Sequence, residues 1–330
     1  MRKLLLSSLF LMVTTGCGAN VPEGTGHYID HEGATEFIDR MVAEHEFDRS
    51  ELQALFAEVA YKDAIIQAME RPAERVRPWH EYRDIFITEQ RIAQGVEFWR
   101  QHQQTLQRAE QQWGVPAEVI VAIIGVETSY GRNKGRWRVL DALSTLAFDY
   151  PKRSPFFTRE LEQFLILTRE QGKAPLELVG SYAGAMGYGQ FMPSSYRHYA
   201  HDFDGDGLID IWDNPVDAIG SVANYFSEHG WQPNQPVVSR ATVREEFDES
   251  VANQALKPEH TLGELAGHGF IAKQALSPDL AATAMVLEGK AGPEYWIGLE
   301  NFYVITRYNH SRLYAMAVHQ LGEKIRERME

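Results

Sequence analysis

The segment that decides the fold reads I-I-G-V-E-T-S-Y-G over residues 123–131. It closes an apolar run that starts at Ala117, directly after Pro116. Proline suits the first turn of a helix because its φ angle is fixed near the helical value and its missing N–H is not needed there. Gly131 is a plausible stop for the helix. The pattern therefore predicts a buried helix over 117–127 that ends at a carboxylate.

Glu127 is the chemical feature of this helix. Burial disfavours the charged form of a carboxylate, so its pKa is expected to rise. A carboxylic acid that stays protonated near neutral pH can donate a proton to a glycosidic oxygen. The simpler alternative is a glutamate at a helix end whose oxygens are satisfied by solvent or by a neighbouring backbone group.

A second segment, Gly180 to Ser194, is rich in glycine and aromatic residues. Its three glycines between positions 184 and 189 permit a close approach of the backbone to a ligand. Its side chains combine stacking faces with an amide, which suits the mixed apolar and hydroxylated surface of a sugar: Tyr188, Gln190, Phe191 and Met192. The alternative is a glycine turn packed for structural reasons. The segment is neither a phosphate loop nor a dinucleotide fingerprint, because the spacing and the lysine are absent.

These two segments, in this order, resemble the lytic murein transglycosylases, and most closely the membrane-bound lytic transglycosylase B family. Three further blocks agree with that family at residues 149–153, 217–225 and 308–309, within a region of roughly 75–320. The resemblance implies an α+β, mainly α-helical fold with a lysozyme-like helical core. It also implies an enzyme that cleaves peptidoglycan glycan strands.

The resemblance assigns roles residue by residue. Glu127 matches the only catalytic carboxylate of the family. Four residues match positions that line its active groove: Ser181, Gln190, Tyr225 and Tyr308. Six more match sugar-contacting positions: Tyr82, Arg153, Phe191, Met192, Asn309 and Tyr314. Lys152 and Phe156 depart from the pattern, since they stand where the family has Arg and Tyr.

The implied reaction needs one acid and no catalytic cofactor. Glu127 first protonates the β-1,4 bond between N-acetylmuramic acid and N-acetylglucosamine. It then takes a proton from the sugar's own O6 hydroxyl, which closes a 1,6-anhydro ring. Glycosidases usually need a second carboxylate. A lysozyme-like hydrolase that uses Asp141 or Asp149, and a noncatalytic peptidoglycan-binding lipoprotein, remain the alternatives.

An acidic loop follows the glycine-rich segment. It reads D-F-D-G-D-G-L-I-D-I-W-D over residues 202–213, with acids at positions 1, 3 and 5 and glycine at 6, as in an EF-hand calcium loop. Position 12 is Asp213 rather than glutamate, and the family resemblance implies a longer loop that is closed by Asp217. The expected structural calcium ligands are Asp202, Asp204, Asp206, the carbonyl of Leu208, and Asp217. The alternatives are a solvated acidic turn or, least favoured because the loop is single, a calcium sensor.

The remaining chain is divided by composition and apolar spacing. Helices are predicted over 156–172, 215–229 and 310–328. The expected division is a signal peptide (1–16), a lipidated N-terminus with tether (17–27), an N-terminal helical region (28–115), a catalytic core (116–234) with the EF-hand-like loop at 202–217, a small β-rich subdomain (235–300), and a C-terminal segment that returns to the core (301–330).

The N-terminus predicts export and lipidation. Arg2 and Lys3 precede a short apolar run, and small residues end at Gly16, directly before Cys17. The pattern resembles a bacterial lipobox, although Thr14 stands where leucine is usual. It indicates an outer-membrane lipoprotein that faces the periplasm of a Gram-negative cell. The alternative is an ordinary signal with an incidental cysteine.

The expected partners follow from charge and location. A net charge of −14 argues against binding to a nucleic-acid backbone, which requires basic patches. The expected partners are peptidoglycan glycan strands and the outer membrane, with cell-wall synthesis or division proteins as further candidates.

Overall fold

The computed structural model describes residues 28–70 and 77–330. The predicted signal peptide, the tether and Cys17 lie outside these residues. The described chain divides into two compact units, one formed by residues 77–130 and 222–330, and the other by residues 28–70 and 131–221. We call them the Glu127 unit and the loop unit, after the residues of interest in each.

The described residues form fourteen α-helices and seven strands. The helices are α1 (Glu32–His45), α2 (Arg49–Ala57), α3 (Asp63–Glu70), α4 (Trp79–Phe86), α5 (Glu89–Gln101), α6 (Gln103–Trp113), α7 (Ala117–Thr128), α8 (Val139–Phe148), α9 (Ser154–Glu170), α10 (Pro193–Tyr199), α11 (Pro215–Glu228), α12 (Leu262–Gly267), α13 (Glu300–Tyr308) and α14 (Arg312–Met329). The strands are β1 (Trp137–Arg138), β2 (Val179–Gly180), β3 (Val238–Val243), β4 (His260–Thr261), β5 (Phe270–Ala272), β6 (Ala281–Gly289) and β7 (Gly292–Gly298).

Helix α7 lies at the centre of the Glu127 unit. Nearly all of its residues are buried, as expected of a helix that is apolar on every face. Helix α14 packs against it closely, because Gly322 leaves no side chain where a Cβ atom would come within 2.9 Å of the Glu118 carbonyl oxygen. The predicted helix over 117–127 is confirmed, and Pro116 is its N-cap.

The end of α7 differs from the expectation that Gly131 stops the helix. Ser129 is already in the left-handed region, with φ 51°, and Tyr130 follows with φ 62°. Two backbone bonds close the turn, from Ser129 N–H to the Gly125 carbonyl (3.1 Å) and from Tyr130 N–H to the Ile124 carbonyl (3.2 Å). Residues other than glycine seldom adopt this conformation, so the surrounding packing must hold it.

The stretch predicted to be β-rich contains an antiparallel five-stranded sheet with the strand order β4-β6-β7-β3-β5. Strands β6 and β7 form a hairpin that ends in the pair Gly289 and Gly292. The short helix α12 covers an apolar core that includes Leu265, Phe270 and Ile297. The α+β, mainly helical fold class is therefore confirmed.

The loop unit is built on α8 and α9, which pack against each other and bury apolar faces. Helix α10 packs on α9 and follows the glycine-rich segment directly. The helices expected over 156–172 and 215–229 are present, with bounds that differ by one or two residues. Among the described residues, every helix is too short or too polar to cross a lipid bilayer.

Candidate functional site

Glu127 occupies the last turn of α7 and faces a tyrosine from α14. The Tyr314 hydroxyl donates a hydrogen bond of 2.6 Å to Glu127 Oε1. Tyr314 is only 2% exposed, and packing on α7 holds its ring in place. Glu127 itself is half-buried, so a ligand can reach it. One carboxylate oxygen is thereby fixed by the protein.

The environment of Glu127 favours the protonated acid. Desolvation by burial raises the pKa of Glu127 from 4.5 to about 7, and the Tyr314 hydrogen bond acts in the opposite direction by stabilising the carboxylate. The balance places the titration of Glu127 near neutral pH. A group with such a pKa can both donate and accept a proton under physiological conditions.

Further tyrosines lie close enough to Glu127 for its charge to raise their pKa values. Burial raises the pKa of Tyr82 and of Tyr308, and the Glu127 carboxylate adds to both shifts. Tyr225 lies edge-on to Tyr308, with ring centroids 4.7 Å apart, and its hydroxyl donates to the Arg307 carbonyl (2.7 Å). Four of the predicted groove and sugar-contacting residues (Tyr82, Tyr225, Tyr308 and Tyr314) therefore form one aromatic layer beside Glu127.

Asn309 follows this layer directly. It ends α13 in an extended conformation and is 7% exposed. Its carbonyl accepts a bond of 2.6 Å from Ser311 N–H, which starts α14. Tyr308 is therefore the last residue of α13, Asn309 begins the short connection to α14, and Tyr314 lies in the first turn of α14.

The glycine-rich segment of the loop unit holds Ser181 and Gln190 in fixed positions. Ser181 Oγ accepts bonds from the N–H groups of Ala183 (3.3 Å) and Ala185 (3.0 Å). Gln190 is in the left-handed region with φ 53°, and its amide nitrogen donates to the Gly187 carbonyl at 2.9 Å. The Gln190 Oε1 atom is buried and meets no donor within the part of the chain that the structure describes.

The neighbouring predicted residues have structural roles as well. Backbone bonds in both directions (2.9 Å each) pair Phe191 with Met186. Met192 is the N-cap of α10. Arg153 precedes α9, and its guanidinium lies 4.5 Å from the ring centroid of Phe156. The phenylalanine that departs from the family pattern therefore still supplies an aromatic face for Arg153.

The two carboxylates considered for a hydrolase are occupied by structural partners. Asp141 is 2% exposed and binds the Arg138 guanidinium at 2.8 and 2.9 Å. It also accepts a bond from Ala60 N–H. Asp149 accepts a bond from the Tyr28 hydroxyl. Each carboxylate therefore joins distant parts of the loop unit.

The acidic loop brings three carboxylates together. Oxygen atoms of Asp202, Asp204 and Asp217 lie within 4.8 Å of one another. Asp217 is fully buried, and it accepts bonds from the N–H groups of Phe203 (2.9 Å) and Asp210 (2.7 Å). Burial raises its pKa and nearby Asp204 adds to the rise. A crowded set of hard oxygen donors fits Ca²⁺.

The other residues of the acidic loop form contacts outside the group of three carboxylates. Asp206 accepts a bond from Leu208 N–H (2.8 Å), and the Leu208 side chain is 48% exposed. Asp213 forms an ion pair with Lys134 at 3.0 Å. The ligand roles of Asp206 and of the Leu208 carbonyl stay predictions.

Comparison with known proteins identifies the family. The family model described as "Transglycosylase SLT domain" matches residues 30–323. The chain belongs to this family of lytic transglycosylases. It is 46% identical over 315 residues to membrane-bound lytic murein transglycosylase B of Escherichia coli K12, covering 93% of this chain and 86% of that protein.

Solved structures agree with this assignment. The Escherichia coli lytic transglycosylase Slt35 in complex with calcium is 45% identical and matches with a TM-score of 0.85, covering 93% of this chain and 96% of that chain. Pseudomonas aeruginosa SltB3 in complex with NAG-anhNAM-pentapeptide is 32% identical, with a TM-score of 0.81, covering 89% and 78%. The predicted family and lysozyme-like fold are therefore confirmed.

One residue near Glu127 escaped the sequence analysis. Arg91, in the first turn of α5, is buried at 6% exposure and binds carbonyl oxygens near the end of α7. Its only sequence signal is an arginine beside Ile92 on the apolar side of a predicted helix. Such a position is ambiguous, because a long arginine can also reach out to solvent.

The Tyr314 hydrogen bond yields a prediction about pH. Replacing Tyr314 with phenylalanine removes a donor that stabilises the carboxylate, so the pKa of Glu127 should rise further. A hydrogen bond to a charged group contributes about 1.5–3 kcal/mol. With Glu127 as the acid that the sequence predicts, the basic limb of the pH–activity profile should therefore move up by roughly one to two pH units. Tyr303→Phe on α13 is the control and should leave the limb in place. An unchanged limb in Tyr314→Phe would show that the bond does not tune Glu127.

Proposed function

We propose that this lytic transglycosylase cleaves the β-1,4 bond between N-acetylmuramic acid and N-acetylglucosamine in peptidoglycan, with Glu127 as its single acid and base. The observation that carries the proposal is a carboxylic acid with a pKa near neutrality, held by Tyr314 beside an aromatic layer. Two relatives support this substrate. One is a lytic murein transglycosylase, and the other, SltB3, was solved in complex with NAG-anhNAM-pentapeptide.

The proposed reaction uses Glu127 twice. The protonated acid donates its proton to the bridging oxygen as the bond between that oxygen and C1 of the muramoyl residue breaks. The muramoyl N-acetyl group stabilises the cationic intermediate. The Glu127 carboxylate then removes the proton from the O6 hydroxyl as O6 bonds to C1. The proton count balances, water is not consumed, and Glu127 ends protonated.

An intramolecular nucleophile makes one carboxylate sufficient. The O6 hydroxyl belongs to the same sugar ring, and such a preplaced group reaches effective molarities of about 10⁵–10⁸ M in favourable cases. A hydrolase needs a second carboxylate to activate water. The two candidates for that role, Asp141 and Asp149, are engaged in the structural contacts described above, which favours the transglycosylase over the hydrolase.

The aromatic layer and the glycine-rich segment are proposed to bind the glycan. Tyrosine combines an apolar ring with a hydroxyl, which suits a sugar, and Gln190 supplies a side-chain amide. The proposed contacts in the Glu127 unit are Tyr82, Tyr225, Tyr308, Asn309 and Tyr314. Those in the loop unit are Arg153, Ser181, Gln190, Phe191 and Met192.

Calcium is proposed as a structural ion rather than as a participant in the reaction. Asp202, Asp204 and Asp217 would hold it, and bound Ca²⁺ would offset the repulsion among these carboxylates. The calcium complex of Slt35 supports this proposal. The expected effect is on the stability of the loop unit.

We propose that a lipid anchor at Cys17 holds the enzyme at the outer membrane. The proposal rests on the sequence pattern over residues 1–17 and on the membrane-bound relative. A lipidated cysteine would attach the enzyme to the outer membrane, with its catalytic residues in the periplasm, where peptidoglycan lies.

The first test compares the products formed by the wild-type enzyme and Glu127→Gln. Glutamine keeps the shape of the side chain and cannot exchange the proton. Loss of a general acid–base group commonly lowers the rate by about 10²–10⁴-fold, and here one group serves both steps. Mass spectrometry of digested peptidoglycan should show wild-type products that are lighter by one water and lack a reducing end, with none from the variant.

Other outcomes of this experiment point to other functions. Products with a reducing end would establish a hydrolase and require a second carboxylate. Full activity of Glu127→Gln would remove Glu127 from the reaction. Binding without products from the wild-type protein would favour the noncatalytic peptidoglycan-binding lipoprotein.

The calcium proposal is tested by calorimetry and thermal unfolding. A ligand at 100 times its dissociation constant stabilises the native state by about 2.7 kcal/mol, so added Ca²⁺ should raise Tm and a chelator should lower it. Asp217→Asn should lose the response. Asp213→Asn, which changes an exposed carboxylate paired with Lys134, should keep it. Absence of binding heat together with an unchanged Tm would contradict the proposal.

The lipid anchor is tested in a Gram-negative host. The wild-type chain should incorporate labelled palmitate and fractionate with the outer membrane. Cys17→Ser should lose the label and remain as uncleaved precursor, because the cysteine is both the lipid acceptor and part of the processing signal. A wild-type protein that is processed but unlabelled would instead indicate an ordinary secretory signal.

A further inference from the structure

Arg91 binds the end of the helix that carries Glu127. Its Nη1 atom donates to the Gly125 carbonyl at 2.7 Å and lies 3.5 Å from the Val126 carbonyl. These are the two residues before Glu127. Arg91 is 6% exposed, and its guanidinium lies 5.4 Å from the ring centroid of Phe86. A buried arginine is therefore fixed directly behind the catalytic carboxylate.

The contact suits the electrostatics of a helix terminus. The last carbonyl groups of a helix carry the negative end of the helix dipole. Gly125 O accepts from both Arg91 and Ser129 N–H. A guanidinium cannot lose its proton in a protein, so the site holds a permanent positive charge. Burial lowers the pKa of Arg91, which shows that this charge is held against a desolvation penalty.

Arg91 also holds the turn that follows Glu127. The Tyr130 hydroxyl donates to the Arg91 carbonyl at 2.9 Å. The hydroxyl fits between α5 and α7 because two glycines face it: a Cβ atom would lie 2.5 Å from it at Gly95 and 2.6 Å from it at Gly125. Tyr130 is in the left-handed region, so its anchoring helps to maintain a backbone conformation that is otherwise unfavourable.

We propose that Arg91 is a positioning residue for the reaction, which sets the orientation of Glu127 by binding α7 on one side and the Tyr130 turn on the other. The proposal rests on the assignment of Glu127 as the catalytic acid and base. Arg91 acts through the backbone of α7 and does not touch the glycan. It should therefore affect kcat more than KM.

The hydrogen bond from Tyr314 to Glu127 supplies a second readout, because it depends on the orientation of Glu127. The groups that face Glu127 are tyrosines from three helices, Tyr82 (α4), Tyr308 (α13) and Tyr314 (α14), with the Arg91 cation behind the helix end. Misplacement of Glu127 would weaken the hydrogen bond from Tyr314 that stabilises the carboxylate, so the basic limb of the pH profile should move to higher pH. A residue that served only folding would leave this limb in place.

The experiment compares Arg91→Met and Arg91→Lys with Arg169→Met. Arg169, whose side chain is exposed, is the control because its Nη1 likewise donates to a carbonyl at a helix end, that of His45 in α1 (2.7 Å), and its guanidinium lies 4.0 Å from the Phe47 ring centroid. Steady-state rates on purified glycan strands are measured over a range of pH, at a temperature well below the Tm of every variant. Tm is recorded separately.

Arg91→Met should lower kcat on the order of tenfold, in line with the loss expected from a small misplacement of a catalytic group. KM should change less than about twofold, since the sugar-contacting residues are intact. The basic limb should shift upward. Arg91→Lys should recover part of kcat and keep the limb near its wild-type position, because it retains a donor for the helix carbonyls. Arg169→Met should match the wild type in kcat and pH profile.

Two results would overturn the proposal. One is a folded Arg91→Met variant with wild-type kcat and pH profile. The other is an equal loss of kcat in Arg169→Met, which would indicate a general effect of stability. If Arg91→Met does not fold, Tyr130→Phe takes its place, since it removes only the hydroxyl that binds Arg91. It should lower kcat severalfold, and wild-type kcat in that variant would also overturn the proposal.

The result is separable from the assignment of Glu127. An inactive Glu127→Gln together with normal Arg91 and Tyr130 variants would refute the positioning role and leave the proposed function standing. An active Glu127→Gln would refute the proposed function itself.

Discussion

The burial of one carboxylate at the end of an apolar helix is the constraint on which the Glu127 unit depends. Helix α7 is apolar on every face, so it must be covered on all sides, and α5, α6 and α14 provide that cover. The helix carries charged side chains only at its two ends, Glu118 in the first turn, where it pairs with Arg326, and Glu127 in the last. Tyr314, itself held by the packing of α14 on α7, bonds one carboxylate oxygen of Glu127. The packing that covers α7 therefore also desolvates Glu127 and raises its pKa.

Sequence patterns predict the structure best where a single physical requirement, such as burial, determines the conformation of a segment. The apolar run after Pro116 predicted α7 almost to the residue, because burial leaves few other conformations for such a segment. The β-rich stretch was identifiable from short alternating runs separated by turn residues. Asp217 was reached only through the family resemblance, since it lies beyond the ordinary loop length, and the structure places its oxygens near Asp202 and Asp204.

Sequence reasoning failed where several elements compete for one position. The stop of α7 was expected at Gly131, whereas Ser129 and Tyr130 take the left-handed conformation. The reason is tertiary: the Tyr130 hydroxyl is held between Gly95 and Gly125 and bonds the carbonyl of Arg91. Arg91 and Gly95 are far from Tyr130 in the sequence, so no local sequence pattern predicts the contact. The aromatic layer around Glu127 is similar, because its members come from four helices.

The same burial that raises the pKa of Glu127 works against folding. Its pKa is about 7 in the folded state and 4.5 without burial. A raised carboxylate pKa means that the folded state holds the proton more tightly, so the stabilising contribution is complete below pH 4.5 and is lost as the pH rises through about 7. At neutral pH the unit therefore carries a partly charged group in a desolvated place. The contacts behind the helix, namely Gly322 against Glu118, Arg91 on the helix carbonyls and Tyr130 between two glycines, make no use of the carboxylate and can offset that cost. The close packing elsewhere on α7 can therefore compensate for the cost of desolvating Glu127.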